Sequence, residues 1–374
     1  MAIVSLAPET NDSASGLRAY RCLGRPGKHP PTRDRIRWAT RLDQPGPGAR
    51  SHFLSTLSVM VILHVAIAIV TALAGAGLFY PALGLKRHHR RWVLLALAVA
   101  ILLLPLLVPS AARMARFLAA AACLMIVGKL YDLHHAADWT PRPSLATFVA
   151  FMANPFTLVL RRLKDEPTPL RRENRLRLAR GAAMFIVGEG LGVLVFRAEL
   201  GAYSFALEHV AKTVCAMIAL YGGAEIAIAL WRLLGLPGRE PMHNFFLAPT
   251  PAEFWRRHNR WVYQFFRENF FRRIGGGRSP VLATLVVFGI SGLMHEYVFG
   301  IAVERVQGFP LAFFMVQGCA VAATMRTKPT GRRALIWIAM TIVFNLASSV
   351  LFFASLNRLG PYYSDALPRW LGGP

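Results

Sequence analysis

The chain has 374 residues, of which 55% are hydrophobic and 17% charged, and its mean hydropathy is +0.40. This excludes an ordinary water-soluble globular protein, in which about a quarter of the residues carry charge. A formal charge of +24 would point to nucleic acid in a soluble chain. Here the basic residues fall in blocks between apolar stretches, as expected of cytoplasmic membrane loops, and no nucleic-acid partner is expected.

In chain order, residues 1–52 are rich in Arg, Pro, Gly and Ser and lack the apolar core of a signal peptide. They read as a disordered, basic cytoplasmic tail. Residues 53–360 read as one multi-span membrane domain and 361–374 as a short C-terminal tail. Apolar stretches recur at 57–83, 92–109, 114–128, 181–196, 206–231, 280–303, 309–325 and 334–356. Crossing about 30 Å of hydrocarbon takes roughly 20 helical residues. The expected fold class is therefore all-α and integral to the membrane, with about eight to nine transmembrane helices plus a cytoplasmic amphipathic helix. Asn154-Pro155 interrupts segment 144–160, which reads as re-entrant or interfacial.

The basic blocks set an orientation. Loops 161–180, 232–279 and 326–333 belong inside, and 197–205, 304–310 and the tail after 357 outside. The N-terminal third conflicts with this rule. The tail and the block Lys86–Arg91 both favour the cytoplasm, yet one span separates them. Either 57–83 breaks near Gly75 and Gly77 or one block disobeys. The four cysteines are scattered and suggest neither a disulfide framework nor a zinc site, so no metal is expected. The expected location is a bacterial cytoplasmic (inner) membrane.

The inside loop 232–279 is the most informative stretch. Thr250-Pro251-Ala252-Glu253 signals a helix start: Thr250 caps, Pro251 suits the first helical position and Glu253 reaches back. Gly275 to Gly277 would end a helix of about 22 residues. At 100° per residue, Trp255, Asn259, Val262, Phe266 and Phe270 share an apolar stripe, beside a basic stripe of Arg256, Arg260 and Arg267. Such a helix lies at the membrane surface. It is either an interfacial anchor with snorkelling arginines or part of a ligand site. Asn259, on the apolar stripe, needs hydrogen-bond partners from a neighbouring helix or a ligand.

The next span carries His295 and Glu296 about 15 residues beyond Pro280. Ionisable groups at that depth face a cavity or a partner. Adjacent residues diverge by about 100°, so one of the pair would react and the other would be structural. Gly289, Ser291 and Gly292 before them let a helix or a substrate chain approach. His295 is either functional or a packed histidine bonded across helices. His64, Glu189, Glu225 and Asn345 also lie in spans. Glu189 and Glu225 would pair with basic residues such as Lys212 or be protonated.

Taken together, PAEFWRRHNRWV and GLMHEYVFG resemble the membrane-bound O-acyltransferase (MBOAT) superfamily. Within it they resemble the branch of wax synthases, sterol O-acyltransferases and diacylglycerol O-acyltransferases. An aromatic box, Phe254-Trp255-Arg256-Arg257-His258-Asn259, precedes the intramembrane His295, which follows Asn259 by 36 residues. His258 departs from the tryptophan often found before that Asn. The short chain favours the wax-synthase-like end of the branch.

The resemblance implies transfer of a fatty acyl group from acyl-CoA to the hydroxyl of a lipophilic alcohol. His295 would be the general base, and Asn259 would position the thioester or the histidine, or donate a hydrogen bond to the developing oxyanion. Trp255, Arg256, Arg260 and Arg267 would contact acyl-CoA, the arginines through its phosphates. Acyl-CoA is then a co-substrate and no cofactor is required. Membrane lipid surrounds the protein, and a homo-oligomer is allowed. A diacylglycerol, a sterol or a hydrophobic secondary metabolite are alternative acceptors. A transporter would be the rival of another class, although the expected inverted repeats are not visible in the sequence.

Overall fold

The computed structural model describes the backbone of residues 47–137, 141–162 and 171–364, and side chains from Ser58 onward within those stretches. The chain divides between Leu63 and His64 into a smaller and a larger unit, and apart from the first part of the helix that begins at Pro47 everything discussed below lies in the larger one. The expected tail falls outside the described residues as far as position 46.

Among the described residues all regular structure is helical. The helices are α1 (Pro47–Gly77), α2 (Phe79–Ala82), α3 (Arg87–Leu103), α4 (Arg113–Ala136), α5 (Leu145–Ala153), α6 (Arg171–Arg197) and α7 (Phe205–Leu233). They continue with α8 (Pro251–Arg257), α9 (Arg260–Phe266), a π-helical turn (Arg267–Phe271), α10 (Pro280–Val303), α11 (Phe309–Thr324) and α12 (Gly331–Leu356). Seven described segments are long and apolar enough to cross a membrane, and α11 is a shorter apolar helix. The protein is an all-helical, multi-pass integral membrane protein. Outward-facing side chains such as Val70, Ile186 and Leu335, each more than 60% exposed, suit a hydrocarbon solvent.

Helix α1 runs unbroken through Gly75 and ends at Gly77, where Leu78 N–H donates to Gly75 C=O, so the segment 57–83 does break at the second of the two glycines. Two other expectations change. Residues 171–180, expected in a loop, are the first turns of α6. Glu225 pairs with Arg177 and Arg180 across the α6–α7 contact, while Lys212 pairs with Glu208 at 2.6 Å, one turn earlier on its own helix.

Small residues set the closest helix approaches, because dispersion between tightly packed backbones replaces hydrophobic driving force in a bilayer. A Cβ on Gly188 of α6 would lie 2.5 Å from the Ala219 nitrogen of α7. One on Gly292 of α10 would lie 2.8 Å from Leu311 Cδ1 of α11. The small residues ahead of His295 thus seat a helix.

Segment 144–160 folds as the short helix α5, which stops before Asn154-Pro155. Buried Lys129 of α4 donates to the carbonyls of Phe151, Met152 and Asn154 at 2.8, 3.0 and 2.5 Å. A cation there satisfies the orphan carbonyls of a helix end and suits its negative dipole pole.

Candidate active site

The segment carrying the aromatic box starts as expected and then departs. Thr250 Oγ1 accepts from Glu253 N–H at 3.2 Å, with Pro251 at the first helical position. The Glu253 carboxylate holds Arg256 and Arg257 instead of reaching back. The expected continuous helix of about 22 residues does not form. It breaks at His258 and Asn259, and Asn259 takes a left-handed conformation with φ 51° and ψ 57°. Asparagine tolerates that region better than most non-glycine residues. The preceding loop stabilises the break, because His243 N–H donates to Arg257 C=O at 3.0 Å and Arg260 N–H to Pro241 C=O at 2.7 Å. Backbone groups freed from the helix therefore find partners.

The break reorients the basic stripe. Arg256 and Arg267 line a cavity together with Trp255, Asn259, Val262 and Phe266. Arg260 is not on its wall, and its guanidinium instead sits 3.9 Å from Glu240. Restarting the helix after a left-handed residue gives Arg260 a new direction, so the three arginines do not act as one stripe. Phe270 packs in a cluster behind the wall with Phe265 and Tyr131.

The cavity measures about 860 Å³ and is walled by α7, the 245–248 loop, α8 to the π-turn, and α10 to α12. His295 lines it from the middle of α10. The imidazole lies against Phe314, with ring centroids 4.2 Å apart, and near Phe352 at 6.0 Å. Its Nδ1 is 2.8 Å from Ser291 C=O. A carbonyl only accepts, so Nδ1 carries the hydrogen and Nε2 keeps its lone pair. The neighbouring Glu296 is committed elsewhere. Its Oε1 accepts from the Gln307 and Gly308 N–H groups at the turn into α11.

Asn259 Oδ1 is buried without a hydrogen-bond partner among the described residues. A buried amide oxygen in that state calls for a partner the protein does not supply. His258 is stacked on Phe254, with centroids 5.2 Å apart and planes at 11°, and meets Phe245 edge-on. Burial among these rings pushes its imidazole down to about 4, so it is neutral near pH 7.

Two lining residues escaped the sequence reading as a pair. Trp255 Nε1 donates to Gln317 Oε1 at 2.9 Å, and Gln317 Nε2 donates to Asn345 Oδ1 at 3.2 Å and Ser348 Oγ at 2.9 Å. The indole N–H only donates, which fixes both amides: Asn345 is left with its Nδ2 donor and lines the cavity. Gln317 is 1% exposed in an otherwise apolar helix, and such a buried amide was the available signal. His209, also missed, touches Ser349 Oγ at 3.1 Å and Tyr363 Oη at 2.6 Å behind the wall.

Every described lining residue falls between Thr213 and Phe353. Residues 208–357 match the model of MBOAT, the membrane-bound O-acyltransferase family. The match supports a likeness to the MBOAT superfamily over that stretch, and membrane O-acyl transfer, the activity of that family, uses an acyl donor and a lipid acceptor within a membrane. No curated protein matches the chain.

Proposed function

We propose that the protein transfers a fatty acyl group from acyl-CoA to the hydroxyl of a lipophilic alcohol, as wax-ester synthases do, with His295 as general base. The observation that carries this reading is the placement, in one apolar cavity, of an imidazole with a free Nε2 and of Asn259, whose buried amide oxygen has no partner among the described residues.

An alcohol is a weak nucleophile at neutral pH. His295 Nε2 takes its proton as the oxygen attacks the thioester carbonyl, and Nδ1 stays bonded to Ser291 C=O, which orients the ring. The tetrahedral intermediate collapses with cleavage of the carbon–sulfur bond. The imidazolium returns the proton to the departing sulfur, giving ester and free CoA. Only donors can meet the oxyanion, so the groups available for that are the Asn345 Nδ2 and the Asn259 amide through its NH2, while the unpartnered Asn259 oxygen can only accept a hydrogen bond. The acyl chain lies among Val262, Phe266 and Phe288, and Arg267, which has no carboxylate partner among the described residues, meets a CoA phosphate at the cavity rim. Arg256 contributes less, because Glu253 already neutralises it.

The test is direct. Purified protein given labelled long-chain acyl-CoA and a panel of lipid alcohols forms ester and CoA in equal amounts. His295→Ala loses at least about 10²-fold in rate, the lower end of general-base contributions, while retaining the elution profile of the parent. Near-normal turnover in the alanine variant would remove His295 from this role. Solute flux into vesicles with no ester formed would favour a transporter.

A further inference from the structure

A second concentration of polar chemistry lies outside the cavity. It occupies the end of the molecule where α3 begins, α4 finishes and the π-turn leads towards α10. Glu268, 7% exposed, is shared by Arg161, Arg162 and Arg272 at 3.8, 3.2 and 2.8 Å. Asp132 of α4, the other carboxylate in the cluster, is already engaged by Leu160 N–H and the Asn269 amide, both at 2.8 Å. Arg273 interacts electrostatically with Arg161 and Arg87. Among the described residues, guanidinium charge in this cluster exceeds carboxylate charge. At 3.8 Å Arg161 does not hydrogen-bond Glu268, and its Nε and Nη2 are buried without an acceptor among the described residues. Buried guanidinium N–H groups of that kind need one.

The elements that carry these charges also expose apolar side chains. Leu85, Trp92 and Ile274 are 45, 59 and 43% exposed. A charged head beside an apolar strip, at the level where membrane helices end, fits an amphiphile lying along the helices. We propose that Arg161 and Arg273, flanked by Arg87, bind the phosphate of an anionic membrane lipid at a site separate from the acyl-transfer cavity and built on the segment that forms part of its wall. The lipid headgroup meets exposed Arg273 and the accessible part of the Arg161 side chain, which is 31% exposed, and its tails cover exposed apolar residues such as Ile274. None of the three arginines lines the cavity, and the site does not rest on the acyltransferase reading.

Native mass spectrometry of the detergent-purified chain, titrated with phosphatidylglycerol, reads binding without any activity. The parent retains the anionic lipid in preference to phosphatidylcholine. Arg161→Gln with Arg273→Gln weakens retention about 30-fold, and Arg273→Gln alone about fivefold, at the usual contribution of one basic residue near an anionic surface. Arg273 is exposed and has no ion pair among the described residues, so the single variant tests the site even if the double one misfolds. Exchange of both arginines for lysine keeps most of the binding. Charge removal at Arg197 and Arg305, exposed at the far ends of their helices, leaves it unchanged. Equal retention by parent and Arg273→Gln overturns the proposal. So does one-for-one displacement of the lipid by coenzyme A, which would assign the cluster to the acyl donor.

Discussion

Asn259 serves two purposes that substitution can separate. Its backbone holds the left-handed turn that breaks the helix, and its amide faces the cavity with an unpaired oxygen. Glycine keeps the first and removes the second, whereas alanine loses both and adds about 1–2 kcal/mol of left-handed strain. Asn259→Gly is therefore expected to match the parent in thermal stability but to lose most of its turnover. Asn259→Ala should lose both. Parental turnover in the glycine variant would show that the amide is not used. The adjacent His258 predicts a pH effect. Its native value of about 4 lies below the unfolded value of 6.5, so between the two the native state binds fewer protons. Its contribution is intact above pH 6.5 and is lost as pH falls towards 4. Melting curves from pH 7 to pH 5 should show a decline that His258→Phe reduces.

At the scale of elements, the contact between α10 and α11 decides whether His295 keeps its aromatic bed. Gly292 sits one turn before the histidine, against Leu311 and Phe314. Gly292→Leu must separate the two helices and carry Phe314 away from the imidazole. The expected result is a lower melting temperature and a loss of turnover larger than the loss of folded protein. A variant with parental values would mean that α11 does not fix the ring. The long helices were legible because hydrocarbon demands an unbroken apolar run. The cap at Thr250 and the cavity positions of His295, Asn259 and Trp255 follow from local signals as well. The break at Asn259 was not legible, because WRRHNRWVYQFF keeps a helical period on both sides of it. What fixes the break is Pro241 and His243, more than a dozen residues upstream and met only in the fold. Arg260 was misassigned for the same reason. That Glu225 meets a basic residue was legible, but which one was not, because helix contact rather than proximity in sequence decides which cation a buried carboxylate meets.

For the whole molecule, the cavity joins a charged rim to an apolar interior. Arg256 and Arg267 stand at one part of its wall, and His295 lies deeper among Phe314 and Phe352. That arrangement suits a donor with an anionic head and a hydrocarbon tail. The polar line from Trp255 through Gln317 to Asn345 and Ser348 ties α8, α11 and α12 together at the same wall. Helix α4 supports that wall from behind through Met125 and Tyr131, without lining the cavity itself.

That every described residue of the cavity wall lies from Thr213 onward bears on how such a chain can change over time. Inherited alterations before that point can remodel the outer helices, their fit to a given bilayer and their surface charge without touching a reacting atom. Alterations after it act on the reaction directly. Descendants of one ancestor should therefore diverge fastest in their first halves, and a chimera joining a foreign N-terminal half to residues 208–357 should keep the acceptor preference of the latter.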